Sequence, residues 1–306
     1  MEYHSILYES SEKDPMGRSC EMPDFFPDLN LDQVVDEILS NKEEYNLREF
    51  FYKSPGCISA INYRLGVMKD LENADIFSSI VSFSNDLKKV REYFEFSSTL
   101  HNRYQREKWH LDALNLYCIA VLKLDSALLS SDLNSSALKS FSNWLSKYVG
   151  SNYFIRLYEN TEALYKEFES ISYSIKIEKD KITIESDDSE EDYCALINST
   201  FENINETGFS YPISFFTGLE MCSLENNIVD ILRKMNMGVF NKLDEYFKNF
   251  QDGFNEDIGR FDREIQFYIS YTEYIGKLKR KGFDFAYPEM SLTKKINVVG
   301  GYDLAL

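Results

Sequence analysis

Apolar residues recur every three or four positions over most of the chain, and this spacing predicts helices. The clearest case follows the Pro55-Gly56 turn, where one apolar stripe would lie along one face of a helix. That stripe consists of Ile58, Ile61, Leu65, Met68 and Leu71. Similar periodicity predicts further helices over residues 77–96, 111–129, 137–148 and 152–170. The pattern therefore predicts a mainly α fold, with the helix after Pro55 facing the core.

The apolar period changes to two near residue 172. In YSIKI and ITIES, apolar and polar residues alternate on either side of the charged stretch EKDK, which predicts a small β-hairpin over residues 173–186. An acidic run, DDSEED at 187–192, follows the hairpin. Mutual repulsion of its charges favours a solvated loop, and a divalent-cation site is the alternative.

Residues 239–280 carry the longest periodic stretch, a heptad-like seam with a four-residue insertion near Phe254. The seam includes Phe254, Phe261, Ile265 and Tyr268. A continuous helix of this length would be more than about 60 Å long, since each residue adds about 1.5 Å. One compact core cannot bury such a helix, so the pattern predicts a lever-like arm in an elongated helical core. Gly253 and Gly259 lie at the interruption.

Charge limits the nucleic-acid functions that the chain can have. It contains 51 acidic and 33 basic residues, and its formal net charge of −18 opposes general affinity for nucleic acid. A DNA contact would therefore need a local basic patch. The one dense cluster ends the long helix and consists of Lys277, Lys279, Arg280 and Lys281. Cations stabilise a helix C-terminus, and the alternative is a contact to phosphate or to an acidic partner.

The cysteines and the hydropathy of the chain indicate in which cellular compartment the protein lies. The five cysteines are scattered and form no C-x-x-C pair, which favours free thiols in a reducing compartment. No stretch approaches the ~18 consecutive apolar residues of a membrane span. These observations predict a soluble, cytoplasmic protein with no membrane partner.

Enzyme signatures are missing from the sequence. Glu107-x-x-His110 is half of a di-iron carboxylate motif, which needs a second copy on another helix. The chain's 3 histidines do not supply one. Walker, Rossmann, H-E-x-x-H and G-x-S-x-G sequences are absent. We therefore expect no catalytic, cofactor or metal site in these residues, and a metal-dependent helical enzyme is the least favoured hypothesis.

The helix after Pro55 resembles the segment that opens the helical core of MutS-type DNA mismatch-repair proteins. In that family the segment reads roughly P-L-x-D-x-x-x-I-x-x-R-L-x-x-V-x-x-L. The corresponding residues here are Pro55, Ile61, Arg64, Leu65, Val67 (or Met68) and Leu71, and Gly56-Cys57-Ile58 replaces the family's Leu-x-Asp. FDREIQFYISYTEYIGKL at 261–278, the Tyr287-Pro288 pair and INVVGGYDLAL at 296–306 follow the family's order of returning lever helix, proline segment and first strand toward an ABC-type ATPase domain.

The resemblance implies a division of the chain into consecutive regions. These are an N-terminal segment (1–54), a helical core (55–171), a β-hairpin with a clamp-like distal region (172–238), a returning lever helix (239–282), and a linker with a first strand (283–306). Too few residues precede Pro55 for a mismatch-recognition domain and a connector domain. The chain thus resembles a branch that lacks mismatch recognition, truncated before its ATPase domain.

By this resemblance, the chain is expected to couple ATP-driven motion in a C-terminal domain to DNA binding, in DNA repair or recombination. The fragment itself is expected to be no enzyme and to bind no cofactor. ATP and Mg²⁺ would belong to the full-length parent, which would contact DNA and form a homodimer through its ATPase domain. The alternative is a stand-alone helical scaffold for protein–protein interaction, with no DNA role.

Overall fold

The computed structural model describes residues 5–9, 21–178, 181–186, 221, 223–293 and 295–304. Over these residues the fold is mainly α-helical with one small antiparallel hairpin, as predicted. The helices are α1 (Phe25–Asp28), α2 (Leu31–Ile38), α3 (Arg48–Tyr52), α4 (Ile58–Asp70), α5 (Ala74–Thr99), α6 (Arg103–Leu129), α7 (Ser136–Val149), α8 (Asn152–Glu169), α9 (Ser223–Met235), α10 (Met237–Phe250) and α11 (Glu256–Arg280). A 3-10 helix lies at Glu43–Tyr45.

The predicted hairpin is confirmed. Strand β1 (Tyr173–Glu178) pairs with β2 (Lys181–Ser186), and Ile175 lies opposite Ile184 in the register. The alternating sequence explains the pairing, since a period of two sends apolar side chains to one face of both strands. The acidic run at 187–192 lies outside the described residues.

The chain folds into two compact units. Unit 1 comprises Met1–Lys88, Tyr117–Ile155 and Phe254–Leu306, and unit 2 comprises Lys89–Leu116 and Arg156–Gly253. The chain therefore leaves unit 1 twice and returns to it twice. The resemblance divides the chain into five regions by their expected roles, and that division stays a prediction.

Helix α11 forms the centre of unit 1. Four of its apolar side chains are fully buried, namely Ile258, Phe261, Ile265 and Tyr268. Asp262, Glu264 and Gln266 on its other faces are buried as well, and each has a hydrogen-bond partner. Ser84 Oγ donates to Asp262 Oδ1 at 2.5 Å, and Lys42 Nζ donates to Gln266 Oε1 at 2.8 Å. Because buried polar groups are stable only when hydrogen-bonded, α11 can be enclosed on several faces.

Helix α4 turns a different face to the core from the one that its apolar stripe predicts. The buried face carries Ala60, Arg64, Val67 and Leu71. The other stripe residues, Ile58, Ile61, Leu65 and Met68, are only half-buried. Periodicity places Arg64 at the flank of the apolar stripe, whereas its side chain is buried and has partners that are described below.

Helix α7 begins where Asp70, the last residue of α4, accepts hydrogen bonds from the backbone. Its two carboxylate oxygens accept from the N–H groups of Asn134 and Ser135, each at 2.9 Å. Ser135 Oγ in turn caps the helix by accepting from Leu138 N at 3.2 Å. A negative charge and a cap satisfy donors that a helix start leaves unpaired. The adjoining Gly66 allows close packing, because a Cβ there would lie 3.2 Å from Ser135 Cβ.

Unit 2 has its own core, built from α8, α10 and the first half of α6. The Thr161 and Tyr246 hydroxyl oxygens lie 2.6 Å apart, and the Tyr165 hydroxyl donates to Asp112 Oδ1 at 2.6 Å. The ring of Phe240 meets other rings edge-on, including that of Tyr104 at 5.4 Å between centroids. Aromatic packing therefore accounts for much of this core.

The prediction of a single helix over residues 239–280 is wrong, because the structure has two helices there. Helix α10 ends at Phe250 and α11 begins at Glu256. Asn255 Oδ1 accepts from Asp257 N at 2.8 Å and so caps the start of α11. Gly253 lies so close to Leu114 that a Cβ would come within 2.7 Å of its Cδ2. The break is thus fixed by a cap and by close packing.

The strand predicted near the C-terminal end is also not formed. Residues 283–293 and 295–304 contain no strand. Ile296 and Val299 are 90% and 93% exposed. Since a strand forms through hydrogen bonds to a neighbour, an apolar sequence without a partner stays irregular.

Candidate functional site

The residues of the MutS-like motif lie in and before α4. Val67 and Leu71 are buried in the core of unit 1, and Arg64 is 8% exposed. Pro55, Ile61 and Leu65 are half-buried. The motif helix therefore combines packing residues with one enclosed cation.

Arg64 holds part of the N-terminal segment. Its Nε donates to the carbonyl oxygen of Leu7 at 2.9 Å. The guanidinium lies over two aromatic rings, 5.2 Å from the centroid of Tyr8 and 5.9 Å from that of Phe267. A hydrogen bond together with cation–π contacts compensates for removing the charge from water.

Glu264 of α11 holds the same segment from another helix. Its carboxylate accepts from Ser5 Oγ and from the backbone N–H of Ile6, both at 2.8 Å. Glu264 is 2% exposed, and hydrogen bonds to a buried carboxylate are among the stronger ones in proteins. The segment is therefore tied to both α4 and α11.

Two tyrosine hydroxyls complete the contacts to Ser5–Tyr8. Tyr63 donates to the carbonyl oxygen of Ser5 at 2.7 Å, and Tyr268 donates to that of Ile6 at 2.7 Å. Burial raises the pKa of Tyr63 to about 12, with the charges of Glu264 and Glu9 adding to the effect. Burial also raises the pKa of Tyr268 well above its ordinary value. Both phenols thus remain protonated donors at neutral pH.

A cavity of about 480 Å³ lies in unit 1 beside this cluster. Its wall includes Leu65, Met68, Tyr271, Ile275 and Tyr287. Burial raises the pKa of Tyr287, and a hydrogen bond to Glu72 adds to this effect. The lining is mostly apolar, which suits packing or the binding of an apolar group.

Three of the four predicted lever-helix residues lie in α11, and the fourth lies before it. Phe261, Ile265 and Tyr268 are fully buried in α11. Phe254 precedes that helix, and its ring centroid lies 5.3 Å from that of Tyr117. All of them belong to unit 1 and serve its core.

The basic residues lie at the end of α11. Lys277, Lys279 and Arg280 occupy its last turn and are exposed, and Lys281 follows as the C-cap residue. Their position matches the negative end of the helix dipole. A contact to phosphate or to an acidic partner stays a prediction.

Glu107 and His110 are packing residues of unit 2. His110 is buried, and its Nε2 donates to the carbonyl oxygen of Phe250 at 3.0 Å. Burial lowers its pKa, although this hydrogen bond acts in the opposite direction. Burial raises the pKa of Glu107, although Arg103 Nε donates to its carboxylate at 2.7 Å. Within the described ranges, no group of three or more His, Cys, Asp or Glu side chains is placed to hold a metal ion.

The functional contacts that sequence reasoning missed are those of Ser5, Tyr63 and Glu264. A glutamate in an otherwise apolar helix is a weak signal, because most such residues face solvent. Its partners lie at the opposite end of the sequence, and no local pattern connects them. None of the helices in the described part of the chain is long and apolar enough to cross a membrane. No family model, curated protein or solved structure matches the chain.

Proposed function

We propose that the chain is the core and lever portion of a MutS-like DNA repair or recombination ATPase. The observation that carries the proposal is the position of Arg64. This motif residue is enclosed between the Tyr8 ring and the Phe267 ring of α11, so the motif helix and the lever-like stretch share one cluster. Because this motif residue connects two elements of the core, its position supports the resemblance in addition to the sequence match.

The mechanism proposed for the parent protein is mechanical. ATP-driven motion in a C-terminal domain would displace α11, which carries Glu264 and Tyr268. Because these residues and Arg64 hold the same segment, displacement of α11 would also strain α4. Residues 172–238, with the β-hairpin, would carry the change toward DNA.

Charge sets a limit on this mechanism. At a net charge of −18, the chain would contact phosphate only through local groups such as the cations that end α11. We expect the chain alone to bind DNA weakly or not at all, and to hydrolyse no ATP. ATP turnover by the purified chain would contradict this part of the proposal.

The deciding test is the coding sequence beyond codon 306. A G-x-x-x-x-G-K-[ST] phosphate loop within about 60 residues would support the proposal, because this loop binds the nucleotide phosphates. Its lysine gives the matched biochemical control in the longer protein. Replacing it with alanine should abolish ATP turnover while the helical domain stays folded by circular dichroism. A stop codon at that point would overturn the proposal.

A helical scaffold for protein–protein interaction is the second candidate. The exposed apolar side chains in the C-terminal stretch favour it, since Leu292, Ile296 and Val299 are at least 90% exposed. A scaffold should self-associate or capture a partner helix through them. Sedimentation equilibrium of the wild type and an Ile296→Asp variant tests this candidate. Monomers at all concentrations in both proteins would speak against self-association.

A further inference from the structure

The N-terminal segment Ser5–Tyr8 is held by unit 1 in the way that a protein holds a peptide ligand. Four side chains from two helices bind it: Tyr63 and Arg64 of α4, and Glu264 and Tyr268 of α11. Three of these side chains donate to successive carbonyl oxygens, those of Ser5, Ile6 and Leu7. Contacts directed at the backbone of a short segment supply affinity that does not depend on side-chain identity.

The side chains of the segment supply the specificity. Ile6 and Leu7 are fully buried, and Tyr8 is 1% exposed. The Tyr8 ring packs against Phe50 at 6.4 Å between centroids, and Lys53 Nζ lies 5.0 Å from its centroid. The site thus encloses two aliphatic side chains followed by an aromatic ring.

An empty site would be costly. Glu264 would lose two charge-assisted hydrogen bonds and Arg64 would lose its carbonyl acceptor. A filled site is therefore strongly favoured, whichever chain supplies the segment.

We propose that this groove between α4 and α11 is a peptide-binding site that also accepts the Ser5–Tyr8 segment of a second copy of the chain. The contacts described above join the segment to α4, to α11 and to Phe50 and Lys53, so a segment from another copy could make the same bonds. Such exchange of identical elements is a low-cost route to dimers. This inference goes beyond the proposed role in DNA transactions and does not depend on it.

The first experiment makes the segment replaceable in the full chain. A protease site is introduced between residues 10 and 20, the folded protein is cleaved, and a fluorescent peptide of residues 1–12 is added. We expect its anisotropy to rise and to saturate as it replaces the cleaved segment. A peptide with Ile6→Asp should bind about 100-fold more weakly or worse, because it would bury an unpaired carboxylate.

Two outcomes would overturn the peptide-site inference. One is loss of the helical circular dichroism signal on cleavage, which would make the segment an inseparable part of the core. The other is equal binding of the wild-type and Ile6→Asp peptides.

The second experiment tests exchange between intact chains. Two full-length proteins with different mass tags are mixed at high concentration, incubated, and examined by native mass spectrometry. We expect a mixed dimer in the wild type and its loss in a Leu7→Asp variant that still folds. Leu129→Asp, at a leucine that is 63% exposed, is the matched control and should leave the mixed dimer intact. Absence of mixed dimers, or their persistence in Leu7→Asp, would overturn the second-copy part.

Discussion

A single carboxylate, that of Glu264, satisfies two donors of the N-terminal segment, and this arrangement predicts the effect of its replacement. Glu264→Gln keeps the shape but offers an amide nitrogen where either Ser5 Oγ or Ile6 N needs an acceptor. We expect the free energy of unfolding to fall by about 2 kcal/mol, the range for a lost hydrogen bond to a charged group. Urea unfolding followed by circular dichroism measures this change.

A matched control for Glu264 lies on the same helix. Glu273 is exposed in α11, so Glu273→Gln should change the free energy of unfolding by no more than about 0.5 kcal/mol. Equal effects of the two substitutions would show that the buried carboxylate does not hold the segment.

The burial of His110 should make the free energy of unfolding depend on pH. Burial lowers its pKa in the folded state, whereas the unfolded chain keeps the ordinary value of about 6.5. The contribution of His110 is therefore fully present above that pH and is lost as the pH falls below it. His110→Gln keeps an N–H donor for the Phe250 carbonyl and should be less sensitive to pH.

The measurement for His110 compares urea midpoints at pH 7.5 and 5.5. The wild type should lose more stability between these values than His110→Gln does. The exposed His101 supplies the control, since His101→Gln should behave as the wild type. Glu107 acts in the opposite direction, because burial raises its pKa and its contribution is lost as the pH rises above the unfolded value of about 4.5. An unchanged pH response in His110→Gln would contradict the prediction.

The sequence predicted the roles of single residues only in part. The motif pattern singled out Arg64, but periodicity placed it at the flank of the apolar stripe, and the structure buries it. The reason is long-range, because its acceptor is the carbonyl oxygen of Leu7 and its ring contacts are with Tyr8 and Phe267. Local periodicity measures hydrophobicity along one element and carries no information on such partners.

At the scale of elements, the sequence located most helices and failed at one junction. Helices α5, α7 and α8 and the hairpin formed where apolar periodicity placed them, whereas α6 begins at Arg103, before the predicted start at Leu111. The break between α10 and α11 was not predicted, because both helices bury apolar residues at the same three- and four-residue spacing. The local signals were the four-residue insertion near Phe254 and the glycines Gly253 and Gly259, and these are compatible with a bend in one helix as well as with a break.

Gly253 tests what fixes this junction. In Gly253→Ala the new Cβ would lie 2.7 Å from Leu114 Cδ2 and 3.0 Å from the carbonyl oxygen of Phe250. Since a core side chain and a backbone oxygen must shift, we expect a loss of about 1 to 3 kcal/mol in the free energy of unfolding. Thermal and urea unfolding followed by circular dichroism measure it.

Gly238 is the matched control for Gly253. It lies in the first turn of α10 with nothing within 4 Å of its added Cβ. Gly238→Ala should leave stability unchanged or raise it by up to about 1 kcal/mol, because alanine favours helix. A destabilisation equal to that of Gly253→Ala would mean that close packing at the junction is not the cause.

At the scale of the whole molecule, buried tyrosines in both units give the protein a shared dependence on alkaline pH. Burial raises the pKa of Tyr117, Tyr148, Tyr165, Tyr268 and Tyr271. The chain contains 23 Phe and 21 Tyr, and packing so many aromatic side chains into cores encloses some of the phenols. The sequence did not indicate which hydroxyls would be enclosed, because that depends on contacts between distant elements.

The sign of the alkaline effect follows from these shifts. A phenol whose folded-state pKa is raised favours folding below the unfolded value of about 10, and that contribution is lost as the pH rises above it. Because the net charge is already −18, each new phenolate adds repulsion. We expect helix loss above pH 10 to coincide with the rise in tyrosinate absorbance. Tyr268→Phe should weaken the pH dependence of stability there, whereas exposed Tyr173→Phe should not. Full tyrosine ionisation near pH 10 with the helices intact would contradict the enclosure of these hydroxyls.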